Sequence, residues 1–151
     1  MNTAFSRTSD SYSTLPMPAI CLGFSGLVPF VTAAVASLIA EGPLQEMSER
    51  ALLAYGAVIL TFLGGIRWGV AMMKTKTTQL FGSLFVSVMP ALVSWSALLL
   101  PATEGMICLA VALTAMFWAD LRFWNAPPWY RVLRVPLSIG AVGAFFLGIF
   151  N

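Results

Sequence analysis

Residues 51–73 read ALLAYGAVILTFLGGIRWGVAMM and carry a single charge, Arg67. At about 1.5 Å per residue, a helix of this length measures about 35 Å, enough to cross a hydrocarbon core of roughly 30 Å. A barrel strand would alternate polar and apolar residues over about ten positions, whereas this run is apolar on every side. Lipid also offers no partner to an unpaired backbone N–H or C=O, which leaves the helix as the form to expect. Working outward, the same pattern recurs at Met17–Ala40, Leu80–Leu100, Gly105–Phe123 and Pro136–Phe150. The sequence therefore predicts an all-α, polytopic bundle of five transmembrane helices. A hydrophobic content of 59% and a charged content of 9% agree, since charged residues make up roughly a quarter of a soluble domain. Residues 1–16, rich in Ser and Thr, are expected to be a mobile N-terminal tail. The first span lacks a basic segment directly before it and a cleavage site followed by a soluble domain, so we read it as a retained helix and not a signal peptide.

The basic residues set a direction. Short connections at Glu41–Arg50, Lys74–Gln79, Pro101–Glu104 and Trp124–Val135 make neighbouring spans antiparallel. One side then collects Arg7, Lys74, Lys76, Arg122, Arg131 and Arg134. The other holds Arg50 with Glu41, Glu46, Glu49 and Glu104. The excess of Lys and Arg marks the first side as cytoplasmic or matrix, with the N-terminus inside and the C-terminus outside.

Prolines and small residues punctuate the spans. Pro29 and Pro90 fall mid-span, where a kink is expected, and Pro136 suits the first turn of the last helix. Small residues recur every four positions at Ala57, Thr61, Gly65 and Gly69, and again at Gly140, Ala144 and Gly148. Such rows let helix backbones approach closely in lipid. Packing within the chain and a face toward a second copy both fit them. The cysteines, Cys21 and Cys108, fall in opposite leaflets, too far apart for a disulfide, and are expected as small core residues.

Two charges lie inside the spans. Arg67 sits roughly 9 Å, and Asp120 about 4–5 Å, from the basic end of their parallel helices. An unpaired charge deep in a bilayer costs about 3 kcal/mol on insertion scales. A guanidinium paired with a carboxylate offsets much of that cost. An Arg67–Asp120 contact between the second and fourth spans is one solution. The alternatives are separate snorkelling to the headgroups, or pairing of Asp120 with Arg122 or Arg131.

Trp124, Trp129 and Tyr130 beside Arg122, Arg131 and Arg134 form an aromatic and basic belt suited to anchoring at the lipid interface. Histidine is absent, which removes imidazole ligation, Ser-His-Asp chemistry and histidine proton relays. We find no catalytic motif, no metal-ligand cluster and no cofactor motif, and expect no cofactor. A net charge of +2 spread over membrane loops makes no nucleic-acid face.

The stretch Ala54–Gly69 resembles the signature of the transmembrane protein 69-like family (DUF3429), small bacterial and mitochondrial membrane proteins with a domain of unknown function. Ser87–Trp95, Ala119-Asp120 and Pro128–Leu137 extend the resemblance over nearly the whole chain beyond the tail. The resemblance implies a compact multi-helix protein of the bacterial inner membrane, or of the mitochondrial inner membrane in a eukaryote, with no known activity attached. Gly64, Gly65, Trp68 and Gly69 within the signature imply a tight helix crossing beside Arg67. Beyond the bilayer, the expected partners are other membrane proteins. The expected role is a non-enzymatic, helix-packing accessory or assembly factor of a membrane complex. The alternative is a small transporter or channel with Arg67 near the substrate path.

Overall fold

The computed structural model describes the backbone of residues 17–74, 77–123 and 128–150, and their side chains apart from those of residues 74, 77, 78, 123, 128, 129 and 131. These residues form six helices: α1 (Met17–Ser25), α2 (Val28–Ile39), α3 (Pro43–Lys74), α4 (Thr77–Leu98), α5 (Ala102–Phe123) and α6 (Pro128–Ile149). With α1 and α2 taken together, five segments are long and apolar enough to cross a membrane. The protein is an all-helical, multi-pass membrane protein.

Three element boundaries differ from the sequence reading, each through proline or glycine. The first span does not kink at Pro29; it breaks at Gly26 and Leu27, and Pro29 falls in the first turn of α2. A proline there has no N–H to give and would clash with the carbonyl of Ser25. The break exposes the Gly26 carbonyl, which accepts a 2.8 Å hydrogen bond from the Tyr55 hydroxyl of α3. A neighbouring helix thus satisfies the backbone group that the break releases, as lipid requires.

Helix α3 begins at Pro43, about two turns ahead of the apolar run. Gly42, at φ 62°, makes the left-handed turn that feeds it. Glycine meets no Cβ penalty in that region. Helix α6 likewise begins at Pro128, so Pro136 lies inside it and not in its first turn.

At 32 residues, α3 is the longest helix and packs against α2, α4, α5 and α6. The core gathers Phe30, Leu52, Leu60, Met106, Leu109 and Phe145. The Phe30 ring meets Tyr55 edge-on at 5.0 Å between centroids and Phe145 edge-on at 5.6 Å. Gly56 lies directly under the Phe145 ring, where any Cβ would collide with it. The row Gly140, Ala144, Gly148 faces inward: a side chain at Gly148 would meet Leu52 and Met106, and one at Gly140 would meet Leu27.

Helix α4 stays continuous through Pro90 and crosses α3 at Gly64. A Cβ on Gly64 would lie 2.7 Å from the Ser87 carbonyl oxygen and 3.2 Å from the Pro90 ring. Large apolar side chains such as Phe81, Trp95 and Phe146 point outward, as a lipid-facing surface demands. Cys21 is exposed on α1 and Cys108 partly buried on α5; the expectation of two core cysteines does not hold for Cys21.

Candidate functional site

At the end of the bundle where α3 and α5 finish and α6 starts, each of the three contributes one charged side chain. Asp120 of α5 is 3% exposed and Arg134 of α6 is 8% exposed. Arg134 Nε donates to Asp120 Oδ2 at 3.2 Å. Arg67 Nε of α3 lies 3.7 Å from Asp120 Oδ1, within ion-pair reach but beyond hydrogen-bond distance. Arg67 Nη1 donates instead to the Met116 sulfur at 3.2 Å, a weak acceptor.

The cluster is therefore under-neutralised. Within the described residues two guanidinium groups share one carboxylate, for a formal charge of +1. Among the described residues, Asp120 Oδ1 and Arg134 Nη2 are buried without a hydrogen-bond partner. A bidentate fork would have used two parallel N–H donors from one arginine; here each arginine offers only its Nε. Breaking such a buried set by deleting one member is costly, whereas replacing all of it with apolar groups is often neutral.

Of the residues singled out in the sequence, Arg67 and Asp120 lie together. Arg134, expected at the lipid interface, turns inward to Asp120. The added turns at the start of α6 carry it into the bundle, so it occupies the place considered for Arg122 or Arg131. Tyr130 is half-buried just before the span Val132–Ile149. Burial pushes its hydroxyl up to about 12, with the Arg134 guanidinium pulling the other way, so the phenol keeps its proton. Trp124 and the side chains of Trp129 and Arg131 lie outside the described residues. Gly64 is packed against α4, while among the described residues Gly65 and Gly69 have nothing beyond their own helix backbone within 4 Å of where a Cβ would stand. Trp68 is 42% exposed beside them.

Apolar hollows flank the cluster on both sides. Arg134 lines a cavity of about 160 Å³ enclosed by Leu22, Phe30, Phe62, Leu137 and Ala141 among others. Arg67 lines a shallower one of about 270 Å³ with Val86, Pro90, Met116 and Ala119.

The chain is similar to Transmembrane protein 69 of Xenopus tropicalis, 35% identical over 140 residues that cover 90% of this chain and 55% of that protein. It is also similar to Transmembrane protein 69 of Mus musculus, 29% identical over 134 residues, 86% of this chain and 54% of that protein. The chain spans about half the length of the curated relatives it matches. No solved structure matches it. The model of the family described as protein of unknown function (DUF3429) matches residues 15–150, and the chain belongs to that family.

Proposed function

We propose that the protein is a non-enzymatic accessory or assembly factor that docks onto a larger inner-membrane complex through the outer face of α3. The supporting observation is the row Thr61, Gly65, Gly69. All three are exposed, and around both glycines the described residues leave open space. In lipid, apolar surface alone drives no association, and small residues at four-residue spacing gain contact by letting a second backbone approach. Trp68 beside the row offers a large ring for a partner helix to pack on. The basic end faces the cytoplasm or matrix, with the N-terminus inside and the C-terminus outside.

The transporter reading needs a polar route to Arg67, yet the other residues lining its hollow are Leu60, Val86, Met89, Pro90, Val93, Ala112, Ala115, Met116 and Ala119, all apolar.

The test is comparative affinity purification in mild detergent of wild type and a Gly65→Leu/Gly69→Leu variant. A partner subunit present with wild type should fall about tenfold with the variant, while the thermal midpoint stays unchanged. A wild-type protein that always elutes alone as a monomer would sink the assignment. Reporter fusions after Asn151 test the orientation, and a cytosolic signal reverses it.

A further inference from the structure

Arg134 is buried without an exit. A long basic side chain near a helix end ordinarily snorkels to the headgroups, and Arg67, with its side chain 18% exposed, keeps that option. The Arg134 side chain is 9% exposed, and its Nη2 has no hydrogen-bond partner among the described residues. Among the described residues, the only carboxylate in reach is already shared with Arg67. Within that set the site lacks one acceptor carrying one negative charge.

The cavity beside Arg134 describes the rest of the molecule that would bring it. Its wall is apolar apart from Arg134 and Ser138, which stand one turn apart on the same face of α6. Leu22 is 74% exposed and Phe62 62% exposed at its margin, so it opens sideways onto the lipid-facing surface. Entry is therefore from the bilayer. At about 160 Å³ the hollow is small; a cavity of roughly this size holds a benzene-sized guest. That admits a slim head and the first few methylenes of one chain. A phosphodiester with two chains is too bulky for it.

We propose that this cavity binds a long-chain carboxylate, a free fatty-acid anion taken from the membrane, with its head on Arg134 and its tail leaving between Leu22 and Phe62. A turn of the guanidinium toward the cavity brings Nη2, now buried without a partner, to the head, and the Ser138 hydroxyl stands within the same wall to donate a second hydrogen bond. Binding brings the formal charge of the cluster from +1 to zero. The site uses neither Gly65 nor Gly69, so it stands or falls separately from the docking face of α3.

Native mass spectrometry of the full chain, titrated at pH 8 with oleate, oleyl alcohol or phosphatidylglycerol, tests it. One oleate per chain is expected, held about tenfold more tightly than the alcohol of equal length, because only the anion makes a charge-assisted hydrogen bond. Arg134→Gln and Ala141→Met should each weaken oleate by about tenfold or more. The second fills the hollow without touching a charge, and decides the matter if the first does not fold. Equal binding of oleate and oleyl alcohol would overturn the proposal. So would oleate binding indifferent to Ala141→Met, or a phosphatidylglycerol that oleate cannot displace.

Discussion

Toward the Gly42 turn, α2, α3 and α6 meet through Phe30, Tyr55, Gly56 and Phe145, rings set edge to face over a bare glycine. Toward the other end, α3, α5 and α6 meet through Arg67, Asp120 and Arg134. Apart from the Tyr55 hydrogen bond, the first region gains only from contact, because in lipid an aromatic side chain is no worse solvated outside the bundle than within it. The second gains from directional charge, yet leaves two polar atoms unmatched. A membrane protein that needed only a stable junction had the first solution available at both ends. The charged junction is thus the place where something besides packing is to be sought.

The sharpest way to break this contrast is to remove the charges singly and together. Asp120→Leu strands two guanidinium groups and should cost about 3–5 kcal/mol, seen as a lowered unfolding midpoint in detergent. The triple change Arg67→Met/Asp120→Leu/Arg134→Met should restore most of that loss. A triple variant as weak as the single one would show that the charges hold the helices in a way apolar packing cannot replace.

In the aromatic region, Phe145→Ala should cost roughly 2 kcal/mol. That lies below the roughly 3–5 kcal/mol of a water-soluble core, since only the cavity and contact losses remain. Where α3 crosses α4, Gly64→Leu should cost about 1–3 kcal/mol by overpacking against Pro90. Gly65→Leu, one residue on, should stay within about 0.5 kcal/mol of wild type. An effect of similar small size belongs to Tyr55→Phe, which deletes the hydroxyl bonded to Gly26. A hydrogen bond between membrane helices is worth about 0.6 kcal/mol on average. A much larger loss would mean that this bond alone holds α1 and α2 in place.

Much of this architecture was legible in composition and charge spacing, because hydrocarbon thickness imposes a length on every span. The nearness of Arg67 and Asp120 is one of the arrangements that similar depth on parallel helices allows. Arg134 did not follow. Pro136 suits a helix start so well that Pro128, which suits one equally, falls within the expected connection Trp124–Val135. Moving the start by about two turns carries Arg134 from the interface into the bundle. The missing signal was the length of α6 itself: at 22 residues it resembles α4 and α5, whereas the apolar run from Pro136 is short for a span. The break at Gly26 was hidden for a related reason. Composition records that a proline disturbs a helix, but whether the disturbance is a bend or a stop depends on a partner for the released carbonyl, and Tyr55 lies on another helix.

Helix α6 supplies both the ring over Gly56 and the second guanidinium on Asp120, and it is the last of the six to leave the ribosome. Without α6, Gly56 has no ring above it, and Arg67 and Asp120 stand as an evenly matched pair. One helix therefore completes both junctions, and the pocket at Arg134 has no such wall without it.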